Sequence, residues 1–182
     1  MLKPLLAVSL LLSTLLLTGC LNDPYTTSSD VIISSNRAAA NNLIRMAGKE
    51  IQPGANIIAA SFANIDDLTQ SSSFGRVTSQ QLVSQLTASG YSVVDMLLRS
   101  DVYINPSQGE FLLSRAVNEI SVEHNAHVVL VGTYAAGDDN VFVTAKLIRA
   151  SDSVILASHD YVLPYTRDMR RLLRDPSVTQ HL

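Results

Sequence analysis

The amino-acid sequence predicts an α/β fold: a small mixed sheet with helix-covered crossover units and a C-terminal antiparallel meander. An apolar, partly β-branched run at residues 57–62, a helical stretch and a second β-type run at residues 91–94 are joined by short links. This order is typical of a crossover unit, in which the two strands lie parallel and the helix covers one face. Three more β-type runs follow at residues 127–134, 141–148 and 154–161, which indicates a meander.

A first helix is predicted from Ser34 or Ser35, either of which can cap it, to about Ile51. The polar residues 20–33 before it lack a sustained period and predict a flexible tether. The side chains expected to share the packed face of this helix are Ala39, Leu43, Met46, Ala47 and Ile51.

The crossover helix is predicted to begin at the serines of residues 71–73, which can cap it. Gly90 stands where a left-handed C-terminal cap is expected. Arg76 lies in the first turn, where a cation opposes the helix dipole, so a compensating contact is expected. The apolar positions of this helix are Phe74, Val77, Leu82 and Leu86.

The remaining elements are predicted from breaks and periodicity. Residues 96–109 contain Asn-Pro-Ser and predict a loop, and residues 110–125 predict another helix. A last helix is predicted at residues 166–174, followed by a polar tail at residues 175–182. Residues 34–174 are therefore expected to form a single domain, since no internal repeat divides them.

Composition argues against a nucleic-acid-binding protein and against a fold stabilised by an internal disulfide bond. The 182 residues carry a formal net charge of −3 and no basic run, which argues against binding to nucleic acid. The chain has one cysteine, so an intramolecular disulfide is impossible. The hydrophobic fraction of 47% and the mean hydropathy of +0.20 are raised by the leucine-rich start.

The first twenty residues form the strongest single signal. Residues 1–3 form a short region made positive by Lys3, and residues 5–17 are apolar but short for a membrane span. The tetrapeptide Leu-Thr-Gly-Cys follows and ends at Cys20. This pattern resembles a bacterial lipobox, which implies a signal peptide at residues 1–19, cleavage before Cys20 and acylation of that residue. The alternative is a plain secretory peptide with a coincidental cysteine. Leu21 stands where bacterial lipoproteins of the enteric type that are kept in the inner membrane carry an aspartate. The resemblance therefore implies the outer membrane.

A longer stretch carries a family resemblance. The strings ASFANIDDLTQSSSFGR at residues 60–76, QQLVSQL and GYSVVD resemble the FlgO family of flagellar outer-membrane lipoproteins, and the similarity continues to about Tyr165. The resemblance implies a structural component of flagella with no catalytic residue, whose partners are other basal-body or outer-membrane ring proteins, or copies of itself. The candidate interaction residues in its most specific part are Ser72, Ser73, Phe74, Gly75 and Arg76.

The predicted order of elements also resembles the small α/β domain of curli-secretion and penicillin-binding-protein-activator lipoproteins. That likeness is one of fold alone. It leaves open an alternative function, in which an envelope lipoprotein regulates a peptidoglycan enzyme or a secretion pore.

Candidate chemistry is sparse. His124 and His127 are three residues apart, but no carboxylate or cysteine completes a metal site. Asp66 and Asp67 are explained by loop polarity, and the serines of residues 71–73 by helix capping, although a helix N-terminus can also bind an anion. The G-x-S-x-G, G-x-G-x-x-G and P-loop patterns are absent from the sequence. The sequence therefore predicts no enzyme, cofactor, metal or small-molecule substrate.

One charged pattern stands apart. Four arginines lie at i, i+3, i+4 and i+7, so a helix there presents a one-sided basic stripe, with its apolar residues turned away. The stripe is either a solvated face or a contact surface for an acidic partner protein or lipid head groups. Its members are Arg167, Arg170, Arg171 and Arg174.

The lipobox makes the first testable prediction. Cys20→Ser should block lipidation and leave the protein unanchored, because acyl chains supply the membrane affinity at about 0.8 kcal/mol per buried methylene. Membrane fractionation and the mass of the mature N-terminus measure this. Unchanged recovery of the variant in the outer membrane would contradict the prediction.

Overall fold

The computed structural model describes residues 28–68, 71–96 and 124–174. Several sequence predictions lie outside the described residues: the signal peptide with Cys20, the tether up to residue 27, most of the loop at 96–109, residues 110–123 of a predicted helix, and the tail at 175–182.

Three α-helices and six strands occupy the described ranges. The helices are α1 (Ser28–Ala47), α2 (Ser73–Ala88) and α3 (Arg167–Leu173), and a 3-10 turn (Gly48–Glu50) follows α1. The strands are β1 (Asn56–Ala59), β2 (Ala63–Asn64), β3 (Ser92–Asp95), β4 (Val128–Ala136), β5 (Asn140–Arg149) and β6 (Ile155–Pro164).

The strands form one mixed sheet. Its order is β3-β1-β4-β5-β6, and β2 pairs with β4 beyond the end of β1. β1 is parallel to β3 and β4, and β2 is parallel to β4. β4, β5 and β6 are antiparallel neighbours. The predicted mixed sheet, its crossover through α2 and its C-terminal meander are therefore confirmed.

The main hydrophobic core lies between one face of the sheet and the helices. Along β5 every second residue of 141–147 is buried, as expected for a strand with one packed face. A smaller cluster on the opposite face contains Ile58, Met96 and Val129. The fully buried side chains of the main core include Leu43, Ile57, Leu82, Leu86, Leu130 and Leu147.

Helix α1 begins earlier than predicted. The sequence predicts a tether at residues 20–33 and a helix capped by Ser34 or Ser35, whereas the helix begins at Ser28. The buried side chain of Ile32 belongs to the main core, so its packing outweighs the preference of the two serines for a cap. The predicted helix start at Ser34 or Ser35 is therefore wrong, and residues 28–33, which the prediction assigned to the tether, are helical.

The packed face of α1 also differs at one position. Met46 was expected to face the core, but 48% of its surface is exposed. The buried line runs through Ile32, Asn36, Leu43 and Ala47, so Met46 lies at its edge. A buried asparagine in this line was not anticipated, because its partners come from distant parts of the chain.

That asparagine connects three elements. The side-chain amide of Asn36 donates to Gln81 Oε1 at 2.6 Å, and its oxygen accepts from the hydroxyl of Tyr161. Asn42 Nδ2 lies 3.2 Å from His159 Nε2 further along the same interface. Burial raises the pKa of Tyr161 above its usual range. The network thus joins α1 to α2 and to β6 at defined positions.

The strand predicted at residues 57–62 is shorter than expected. β1 ends at Ala59, and Phe62 lies between β1 and β2. The backbone N–H of Phe62 donates to Gly75 O at 3.3 Å, so it is satisfied by α2 and not by a strand. Its fully buried ring lies against Gly132, and this packing removes it from the strand.

Helix α1 and the strands β5 and β6 run between the same two ends of the domain. Arg149 at the end of β5 pairs with Glu50, just past α1, at 2.6 Å, so α1 and β5 end together. Asn36 lies opposite Tyr161 and Asn42 lies opposite His159, so α1 runs antiparallel to β6. Its first residue, Ser28, is therefore level with the carboxyl end of β6, where α3 follows. We call this the α3 end. It holds the N-termini of α1 and α2, the turn between β4 and β5, and α3.

The asparagine network predicts a measurable stability difference. Tyr161→Phe should lower the free energy of unfolding by about 1–3 kcal/mol, because it leaves the buried oxygen of Asn36 without its donor. Tyr165→Phe is the matched control, since no hydrogen bond joins the Tyr165 hydroxyl to a described residue; it should change stability by no more than about 0.5 kcal/mol. Urea denaturation measures both, and equal values would contradict the prediction.

Candidate functional site

The serine-rich motif, residues 71–76, lies at the start of α2, beside the carboxyl end of β4. Ser72 is the N-cap residue, and its hydroxyl accepts from the Gly75 N–H at 3.4 Å. The Ser72 N–H donates to the hydroxyl oxygen of Tyr134 at 3.0 Å. The predicted cap is confirmed, and its backbone is held by a side chain from the sheet.

Further hydrogen bonds attach the motif to the chain between β1 and β2. The Ser71 hydroxyl donates to Phe62 O at 2.8 Å, and about two turns further along, in α2, the Ser79 hydroxyl donates to Ala60 O at 2.7 Å. These carbonyls lie outside a strand ladder and need such donors when buried. The start of α2 is therefore fixed to residues 60–62.

Two glycines make this contact possible. A Cβ on Gly75 would lie 2.1 Å from Phe62 O and 2.9 Å from Tyr134 Cε1. A Cβ on Gly132 would lie 2.2 Å from the ring of Phe62. The ring of Phe74 packs edge-to-face on Tyr134, with centroids 5.2 Å apart. Helix, sheet and linking segment therefore meet closer than any larger residue would allow.

Arg76 closes the outer side of the motif. Its Nη1 donates to Ser71 O at 2.6 Å and its Nη2 donates to Ser73 Oγ at 3.1 Å. The guanidinium thus contacts oxygen atoms at the helix start, which offsets an unfavourable position near the positive end of the dipole. The compensating contact predicted for Arg76 is confirmed.

The motif divides into a buried and an accessible part. Ser72, Phe74 and Gly75 are buried, and their atoms serve the packing just described. Ser73 and Arg76 are half-buried and reach the surface. A partner that binds this region in the present conformation would therefore touch Ser73 and Arg76, and the other three candidate residues would act by shaping the surface.

A pocket of about 180 Å³ lies next to the motif. Asp66 is exposed on its rim, and its backbone N–H donates to Asn64 Oδ1 at 3.1 Å, an ordinary turn contact. Within the described ranges, no group of three His, Cys, Asp or Glu side chains could hold a metal ion. The residues that line the pocket are Asn64, Asp66, Ser71, Ser72, Tyr134, Ala136 and Leu173.

The two candidate histidines lie at the opposite end of the sheet. His124 and Asn125 form a turn, with Asn125 at φ +48°, so the predicted helix does not extend through them. His127 is exposed, and its backbone N–H donates to Asn56 O at 3.1 Å. This segment leads into β4.

The basic stripe lies on and just after α3. Thr166 caps the helix, accepting from the Met169 N–H at 3.3 Å, and Met169 is fully buried. Arg174 has extended backbone angles and so follows the last turn. All four arginines are exposed, and no carboxylate of a described residue pairs with them. The helix is therefore confirmed with Arg167, Arg170 and Arg171 on it, whereas the prediction that Arg174 belongs to it is wrong. The function of the stripe as a contact surface stays a prediction.

Sequence reasoning missed two parts of this junction. Neither Phe62 nor Tyr134 was expected to contact α2. Gly132, in the middle of an otherwise β-branched run, was a usable signal, because glycine within a strand often marks a close approach of another group.

The fold is similar to known structures. The C-terminal domain of LpoB from Salmonella enterica matches with 13% identity and a TM-score of 0.52, over 70% of this chain and 93% of that one. The LpoB C-terminal domain from Escherichia coli matches with 16% identity and a TM-score of 0.51, over 70% of this chain and 96% of that one. No curated protein is significantly similar in sequence.

The fold defines an α/β domain of the LpoB C-terminal type. The chain belongs to the FlgO protein family, whose family model matches residues 37–168. Membership indicates an envelope lipoprotein. Among the described helices, none combines the length and apolar character needed to cross a membrane.

The glycine contacts predict a strong effect of one added carbon. Gly75→Ala should lower the free energy of unfolding by about 3 kcal/mol, because the new Cβ meets the backbone carbonyl of Phe62. Ser84→Ala, on the exposed face of the same helix, should stay within about 0.5 kcal/mol. Thermal melts followed by circular dichroism compare them. Wild-type stability for Gly75→Ala would show that the junction can relax.

Proposed function

We propose that this chain is a non-enzymatic outer-membrane lipoprotein and a structural component of a flagellum-associated outer-membrane ring, needed for motility or flagellar stability. The observation that carries the proposal is the family match over residues 37–168, which includes the whole serine-rich motif. The flagellar part of the proposal rests on membership of that family.

The use of the motif supports a structural role. In residues 71–76 the Ser71 hydroxyl donates to a backbone oxygen, the Ser72 hydroxyl caps the helix, and Arg76 donates to Ser71 O and to the Ser73 hydroxyl oxygen. A nucleophile or general base would need a free functional group aimed at a pocket. The most family-like part of the chain therefore builds the domain, and function is expected to lie in its surfaces.

The proposed location follows from the lipobox. Acylation at Cys20 would supply the anchor, and Leu21 favours transport to the outer membrane. The proposed partners are other flagellar basal-body or ring proteins, or further copies of this chain. No nucleic acid or small-molecule substrate is proposed.

A second candidate function has one observation in its favour. The fold is shared with the LpoB C-terminal domain, which suits an envelope lipoprotein that regulates a peptidoglycan enzyme or a secretion pore. At 13% and 16% identity this likeness concerns the fold alone, so we rank it second.

Deletion of the gene separates the two candidates. We expect the deletion strain to swim poorly or lose flagella, with an unchanged peptidoglycan composition, because a ring component stabilises an assembly and does not alter cell-wall synthesis. Swimming in soft agar, electron microscopy of flagella and muropeptide analysis measure the three properties.

Complementation provides the controls. Wild-type protein should restore swimming, and Cys20→Ser, which lacks the acylated residue, should not. Normal flagella in the deletion strain would overturn the flagellar proposal. An altered muropeptide profile with normal swimming would instead favour the second candidate.

A further inference from the structure

We propose that the four arginines on and after α3 hold the α3 end of the domain against anionic phospholipid head groups, in the membrane leaflet that carries the anchor. This inference rests on the lipid anchor at Cys20 that is part of the proposed function.

The chain enters the domain at the same end as the stripe. Helix α1 begins at Ser28, and the Asn36–Tyr161 contact places that residue level with the carboxyl end of β6. α3 follows directly after β6. The segment that connects Cys20 to the domain is therefore joined to the α3 end.

The connecting segment is short. The eight residues 20–27 span at most about 28 Å when fully extended, whereas the ten residues of β6 alone cover about 33 Å. The α3 end therefore stays close to the lipid surface, and the far end of the sheet need not. This tethering raises the effective concentration of the stripe at the head groups, so weak attraction suffices.

The charge of the stripe suits an anionic surface. Each arginine near such a surface favours the docked state by about fivefold. The α3 end also carries exposed acidic residues: Asp30 in the first turn of α1, Asp66, Asp138 and Asp139 in its loops, and Asp168 beside the stripe on α3. The electrostatic attraction to anionic lipid thus depends on which side of this end faces the membrane. It favours the orientation in which the arginines contact the head groups.

Of the eight exposed large hydrophobic residues in the described ranges, five lie at the same end, and Met46, Val154 and Ile155 lie at the other. Basic residues beside apolar ones are the composition of surfaces that lie in a membrane interface. Ile65 and Leu68, in the loop after β2, are 56% and 53% exposed, and Phe142 pairs with Val162 across β5 and β6. This mixture, close to the anchor, favours lipid over an acidic protein as the occupant. The exposed large hydrophobic residues of the α3 end are Ile33, Ile65, Leu68, Phe142 and Val162.

Labelled protein in vesicles tests the orientation. Full-length lipidated protein is reconstituted in phosphatidylcholine vesicles with or without phosphatidylglycerol. Cys20 is the only native thiol and is blocked by its lipid, so Asn140→Cys and Ser151→Cys can each carry one fluorophore, at opposite ends of β5. With phosphatidylglycerol, a head-group quencher should quench the label at residue 140 more strongly, and high salt should reverse this; the label at residue 151 should not respond.

Charge variants identify the residues responsible. Arg170→Gln with Arg171→Gln should lower the ratio of docked to undocked protein by about thirtyfold, since two charges are lost. Arg37→Gln with Lys49→Gln removes the same charge from exposed positions elsewhere and should leave the ratio unchanged. Arg170→Lys with Arg171→Lys should dock like the wild type, because attraction to an anionic membrane depends on the positive charge and not on the geometry of the guanidinium.

Equal quenching at residue 140 in both kinds of vesicle would overturn the proposal. If the glutamine variant also abolished swimming and the lysine variant did not restore it, the stripe would be assigned to an acidic protein partner. The vesicle assay contains no flagellum, so normal swimming of the deletion strain would overturn the flagellar function alone, and unresponsive labels would overturn the docking alone.

Discussion

The fold depends on the close approach of Phe62 to two glycines that lack a Cβ. Its backbone oxygen occupies the space beside Gly75, and its ring occupies the space over Gly132. Both contacts are needed to bring the start of α2 onto the carboxyl end of β4. Because interiors are packed to crystal density, this junction tolerates little variation. The positions of the loop after β2 and of α3, which packs near α2, follow from it.

The same junction gives the domain a fixed surface at the start of α2. The polar groups of residues 71–76 form hydrogen bonds with one another, with Tyr134 and with the backbone. Such a satisfied network makes the surrounding surface rigid, since each bond would be lost if the others moved. A rigid end bearing arginines and exposed apolar residues suits a protein that is held at a membrane and meets its partners there.

Local patterns predicted much of this fold, and distant contacts account for the errors. The crossover unit, the meander, the Ser72 cap and the positive φ of Gly90 follow from short-range periodicity and turn chemistry. The early start of α1 depends on the burial of Ile32, and the early end of β1 depends on Phe62 packing against a glycine seventy residues later. Neither partner is visible in the neighbouring residues, so sequence patterns could not anticipate them.

Helix α1 also determines how the domain would respond to a pull on the proposed anchor at Cys20. Tension transmitted through the chain before Ser28 acts along the helix axis, and α1 lies alongside β6 and α2. The bonds of Asn36 to Gln81 and Tyr161, and the contact of Asn42 with His159, would then be strained together in shear. Peeling, which breaks contacts one at a time, would need less force. In the proposed function, in which the lipoprotein stands beside the flagellum, the domain is thus attached through an element suited to resist tension.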